Sequence, residues 1–129
     1  MRIRIEDGLP FVSATIQYKQ RSVTLNNMLL DTGSVRTMLA IDQIDALDLS
    51  AEPDDVIYQV LGVGGSEYVF SKRVDSLAVE YLQVTDFVVE FGAMRYGFPL
   101  DGIVGLDFLL NTGAVIDLML LDIYRGGGQ

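Results

Sequence analysis

A chain of 129 residues, half of them hydrophobic, is long enough for one domain with a real core. Its 18 acidic residues against 9 basic ones, a formal net charge of -9, argue against a nucleic-acid partner, because phosphate binding needs clustered Lys and Arg. There is no cysteine and no histidine, which excludes disulfides, Cys-based metal sites, Ser-His and Cys-His catalysis and the commonest zinc sites.

Chemistry in this chain therefore has to run on carboxylates, hydroxyls, Lys, Arg or Tyr. The segment Met1 to Asp7 carries charges where a signal peptide needs an apolar stretch. The apolar runs fall well short of the ~20 residues of a membrane helix. The expectation is a soluble, cytoplasmic protein without a membrane partner.

In chain order, Arg2 to Ile5 alternates as a strand and Asp7-Gly8 turns. Phe11 to Tyr18 alternates again, with Val12, Ala14, Ile16 and Tyr18 on one face. Lys19-Gln20-Arg21 reads as a hairpin connection into the apolar strand Val23 to Leu30. Ile41, Ile44 and Leu47 fall three apart, which predicts a short amphipathic helix ending near Leu49. Ala51 to Asp55 reads as a loop. Val56 to Leu61 and Tyr68 to Val74 flank a Gly-rich tip, the pattern of a hairpin. Leu77 to Tyr81 and Val84 to Phe91 are further strands, and Gly92 to Pro99 an irregular loop. Leu100 to Leu110 starts as a short buried strand and ends as a brief helix, closed by Asn111-Thr112-Gly113 with Gly as C-cap. Ala114 to Met119 and Leu121 to Tyr124 complete the strands. The sum is one all-β domain over residues 1–124, with 125–129 a loose tail.

The chemistry concentrates at Leu29-Leu30-Asp31-Thr32-Gly33-Ser34, where a core strand breaks off at an acid. A carboxylate placed there is costly to bury unless hydrogen bonds or a role keep it. A plain surface turn, with Asp31 capping its own backbone, remains the alternative at this point. Gly62-Val63-Gly64-Gly65 lacks the Gly-Lys-Ser/Thr of a nucleotide loop and enters a strand rather than a helix. The acids Asp42, Asp45, Asp54 and Asp55 lack the spacing of a calcium loop and read as a solvated face. Asp101 and Asp107 read as makers of turn or helix-end hydrogen bonds, and Asp117 as an edge or interface residue.

Three features follow one another: a strand ending in Asp31-Thr32-Gly33-Ser34, a Gly-tipped hairpin, and Ile103-Val104-Gly105 leading into a helix. Together they resemble the retropepsin-like aspartic proteases, single-lobe relatives of pepsin. Gly105-Leu106-Asp107-Phe108-Leu109 looks most like the cellular and bacterial branch, since retroviral enzymes usually carry Gly-Arg there. The resemblance implies an acid-protease lobe, a closed all-β barrel with a flap hairpin and one or two short helices. It makes Asp31 the catalytic acid, supported by Thr32, Gly33 and Ser34. Gly62, Val63, Gly64 and Gly65 become the flap over the substrate, and Val35, Leu100, Ile103 and Val104 candidates for pockets.

Peptide hydrolysis by this route needs two carboxylates, and only one D-T/S-G is present. The resemblance therefore implies a homodimer acting on a peptide or protein substrate, with no metal or organic cofactor. By the same resemblance, the Thr32 hydroxyl bonds across the dimer. The Ser34 hydroxyl is a candidate donor to Asp31, favouring its charged form. Two rivals remain: a weak or inactive module of this fold used for dimerisation or peptide binding, and a small β-barrel for a small ligand.

Overall fold

The computed structural model describes residues 2–62, 65–94 and 100–127. Ten strands and one helix follow in order: β1 (Arg4–Glu6), β2 (Leu9–Tyr18), β3 (Arg21–Leu30), β4 (Met38–Ala40), β5 (Ile57–Gly62), β6 (Gly65–Val79), β7 (Leu82–Gly92), β8 (Gly102–Val104), α1 (Leu106–Thr112), β9 (Ala114–Asp117) and β10 (Asp122–Arg125). The all-β retropepsin-like expectation is met. Eight strands form one sheet in the order β1-β2-β3-β8-β4-β7-β6-β5, and a further β2–β6 pairing bends it into a ring. β9 and β10 make a separate antiparallel pair.

The inward face of the ring is the alternation read from the sequence. Val12, Ala14, Ile16 and Tyr18 of β2 are buried, and so are Leu25, Met28 and Leu30 of β3. Phe11 is buried as well, just before the register of β2 against β3 shifts between Val12 and Ala14. Such a bulge changes which residues point inward. Lys19 and Gln20 turn the β2–β3 hairpin with φ of 48° and 68°, while Arg21 already pairs with Tyr18. That is the two-residue turn favoured between twisted strands, here made without glycine.

Two expectations need correction. Residues 41–47 do not form one amphipathic helix but two single 3-10 turns, Ile41–Gln43 and Asp45–Leu47. The spacing of Ile41, Ile44 and Leu47 matches the three-residue period of the 3-10 form, so it located the buried side chains while mistaking the element. Ile44 and Leu47 are indeed core residues. Nor is the chain broken between Val74 and Leu77: β6 runs unbroken to Val79 and pairs with β7 through Val79 opposite Leu82. Asp75 and Ser76 simply continue the strand, and the turn falls at Glu80 and Tyr81.

The core packs against α1 from below. Phe108 is fully buried and meets Phe87 edge-on at 6.3 Å between ring centroids, while Phe70 stacks on Phe91 at 5.3 Å. Truncating Phe108 to Ala is expected to cost about 3–5 kcal/mol, because a buried aromatic leaves a cavity that collapses only in part. The helix stops at Gly113, whose φ of 63° suits a left-handed C-cap and whose N–H reaches the Leu110 carbonyl.

The central crossing sets the site. β8 runs parallel to β3, with Leu30 opposite Val104, and antiparallel to β4, with Met38 opposite Ile103. The segment 31–37 joins β3 to β4 and so has to pass over the end of β8. This close approach explains two glycines. A Cβ on Gly102 would lie 2.5 Å from the Met38 carbonyl oxygen, and one on Gly105 would lie 2.5 Å from that of Arg36.

Candidate active site

Asp31 is the first residue after β3, half-buried at the top of this crossing. Its backbone N–H donates to the Val104 carbonyl at 3.1 Å, which prolongs the β3–β8 pairing into the loop. The turn then closes on itself. Ser34 N–H donates to the Asp31 carbonyl at 3.1 Å, and Gly33 N–H donates to Asp31 Oδ1 at 3.0 Å. A side chain on Gly33 would place its Cβ 3.3 Å from that same Oδ1, so a small residue keeps the carboxylate accessible.

The loop is tied down at two further points. Leu106 N–H donates to the Ser34 carbonyl at 2.7 Å, joining the loop to the first residue of α1. Thr37, fully buried, donates its N–H to Asp107 Oδ2 at 3.1 Å and its hydroxyl to Asp107 Oδ1 at 2.7 Å. The same Thr37 oxygen accepts the Gly105 N–H at 3.0 Å, and Asp107 Oδ1 also accepts the Phe108 N–H at 2.8 Å. Thr37 and Asp107 were not singled out for the site from sequence. The only signal was an acid in the first helical turn, which accounts for the Phe108 bond but not for the long-range partner.

Ser34 behaves differently from its expected role. Its hydroxyl donates to the Arg36 carbonyl at 2.9 Å, and a hydroxyl has one proton to give, so in this loop it is not the donor to Asp31. Thr32, Gly33 and Val35 are exposed, Val35 at 73 %. Among the other pocket candidates, Ile103 is half-buried, Leu100 is buried, and Val104 is a fully buried core residue. In the expected flap, Gly62 pairs with Gly65 at the end of β5 and β6. Val63 and Gly64 lie outside the described residues, as do 95–99 of the loop before β8.

Glu90, on β7, donates its N–H to the Thr37 carbonyl. Burial pushes its carboxyl above the usual range; the nearby Arg36 pulls it down and the charge of Asp107 pushes it up. Several other acids serve the fold. Asp101 Oδ2 accepts the Asn27 N–H at 3.0 Å, and Asp117 Oδ1 caps the turn after β9 through the N–H groups of Met119 and Leu120. The acids of 52–55 are less free than a solvated face implies: Glu52 and Asp55 grip the buried Lys72 ammonium at 2.6 and 2.8 Å. Among the described residues no three acids cluster in a way that would hold a metal ion, and no helix is long and apolar enough to cross a membrane.

Asp31 is thus a half-exposed carboxylate on a loop held at three points. The comparison with known families decides its kind. A family model described as aspartyl protease matches residues 12–108, a span that includes Asp31, the β5–β6 hairpin and the start of α1. The chain belongs to the retropepsin-like aspartyl protease family. No curated protein matches it. Membership carries an aspartic protease-like function and a peptidase chemistry in general.

Proposed function

We propose that this chain is a homodimeric aspartic endopeptidase whose catalytic pair is Asp31 and Asp31 of the partner subunit. The observation that carries the reading is the seat of Asp31: a half-exposed carboxylate on a loop braced on β8 and α1, inside the family-matched span. One carboxylate cannot be base and acid to the same water in one step. Two carboxylates about 3 Å apart share a proton and titrate as a pair. The ionised member takes a proton from the attacking water while the protonated one polarises the scissile carbonyl.

Exposed apolar side chains around the loop support a second copy as partner. Val35 stands beside Asp31, and Leu106 and Leu110 form one outward face of α1, with Leu110 72 % exposed. Leu118, Met119 and Leu120 add an apolar tip to the β9–β10 hairpin. In this reading Thr32 reaches across the two-fold axis, the β5–β6 hairpins cover the substrate as flaps, and the extended peptide pairs with strand edges.

The test is Asp31→Asn, assayed on a peptide library with the dimer verified by mass. Peptide cleavage is expected to fall by at least about 1,000-fold, as when a member of a catalytic unit is removed. A variant that still cleaves at the wild-type rate ends the proposal. A wild-type dimer that binds peptides without cutting them favours the binding-module alternative.

A further inference from the structure

We infer that Asp107, acting through Thr37, is a positioning residue for the catalytic loop, and this rests on the aspartic-protease reading of Asp31. Segment 31–37 is the only covalent link between β3 and β4, and it arches over the end of β8. Its first residue is held by Val104 and its middle by Leu106. Thr37 is the remaining anchor, at the end nearest β4, and its partners come from both the end of β8 and the first turn of α1.

The bond directions are fully determined. Asp107 accepts from Thr37 N–H, Thr37 O–H and Phe108 N–H. The Thr37 hydroxyl, having given its proton to Asp107, can only accept from Gly105 N–H. Gly105 in turn lies so close to the loop that any Cβ would overlap the Arg36 carbonyl. Residues 36, 37, 105 and 107 therefore form one unit, and the height of the loop above β8 follows from it. A shift there moves Asp31 relative to its mate, and a displacement near 1 Å can cost about 100-fold in rate without loss of binding.

Thr37→Val and Thr37→Ser in the full-length chain separate positioning from packing. Valine keeps the shape and removes the hydroxyl; serine keeps the hydroxyl and removes the methyl group. In the folded dimer, Thr37→Val is expected to lower kcat by about 10- to 100-fold with KM within about threefold, and Thr37→Ser to recover most of the loss. A folded Thr37→Val with kcat within about twofold of wild type overturns the inference, as does a Thr37→Ser as impaired as the valine variant.

Where Thr37→Val does not fold, Asp107→Asn carries the test. Its amide keeps one acceptor but turns a donor toward one Thr37 partner, so a fall in kcat at unchanged KM is expected and wild-type kcat overturns the inference. Amide exchange of Gly33 and Gly105 gives a readout independent of cleavage. Both N–H groups exchange faster in Thr37→Val than in Thr37→Ser if the unit holds the loop, and equal rates overturn it. A wild-type chain that cleaves nothing sinks the protease reading, while the exchange rates still decide this one.

Discussion

Asp107 and Lys72 are each the centre of a small polar cluster, and each holds a segment that matters to the proposed site. Asp107 collects neutral donors from Thr37 and Phe108 and so braces the Asp31 loop. Lys72 is a buried ammonium on β6, the long strand that leads to the Gly62–Gly65 hairpin end, and it is gripped by Glu52 and Asp55 of the preceding loop. Around the loop of Asp31, backbone amides and a hydroxyl do the holding, and they bring no full positive charge of their own to its carboxylate. At the root of the hairpin a charge pair does it. A buried ammonium costs several kcal/mol unless paired, so the acids there are a requirement of burying Lys72.

The difference has a pH signature. Hydrogen bonds to Lys72 hold the Glu52 and Asp55 carboxyls below their usual range. Burial by itself lowers the Lys72 pKa, but its hydrogen bonds to Asp55 and Glu52 outweigh this and leave it raised. Acids lowered in the folded state add stability above their unfolded values and lose it as pH falls through the folded ones. A raised lysine adds stability below its unfolded value and loses it as pH rises through the folded one. The clamp is therefore complete between about pH 5 and about pH 10.

Of the two clusters, the Asp107 side is expected to give the larger effect, by sterics. Gly105→Ala puts a methyl group 2.5 Å from the Arg36 carbonyl oxygen and should cost about 2–3 kcal/mol in urea unfolding, with cleavage falling further than stability. Next comes the Lys72 side. Glu52→Gln with Asp55→Asn leaves the ammonium buried and unpaired, and should lower Tm clearly at pH 7. The gap to wild type should narrow as the pH falls through the lowered folded-state values of the two wild-type acids. Gly105→Ala, a steric defect, should show no such convergence. Thermal scans across pH decide between the two behaviours.

Smaller effects sharpen the picture around α1. Leu110→Glu alters an exposed side chain, so folding stability should stay within about 0.5 kcal/mol while the proposed dimer's share at a fixed concentration declines. An unchanged dimer would place the partner on another face. Glu90 gives the smallest effect. Its carboxyl is raised by burial, so ionisation costs stability at neutral pH, and Glu90→Gln should raise Tm by no more than a few degrees at pH 7. That gain should fade below about pH 4, where the carboxyl is neutral in both folded and unfolded chains.

Much of this protein was legible from local pattern. Alternation located β2, because a strand buried on one face must repeat every second residue, and a run of branched and aliphatic residues located β3. The order Asp31-Thr32-Gly33, Gly-rich hairpin and Ile103-Val104-Gly105 pointed to the family that the match over residues 12–108 then established. Local pattern also marked Gly113 as the end of α1. It misjudged residues 41–47, where a three-residue spacing serves a 3-10 turn as well as an α-helix, and it cut β6 at polar residues that the strand absorbs.

What the tertiary structure alone decided lies in contacts between residues far apart in the chain. Nothing local to Thr37 announces that it bonds Asp107, seventy positions away, or that Lys72 is buried against two acids of another loop. Nor does the sequence around Ser34 say that its hydroxyl goes to Arg36 rather than to Asp31. Hydrogen bonds depend on where the ring of strands brings each donor, and β8 passing between β3 and β4 is a property of the whole chain. Local pattern alone places Asp31 at the end of the core strand. The fold decided what holds it there, because the crossing at β8 sets Gly105 and Asp107 within hydrogen-bonding distance of Thr37.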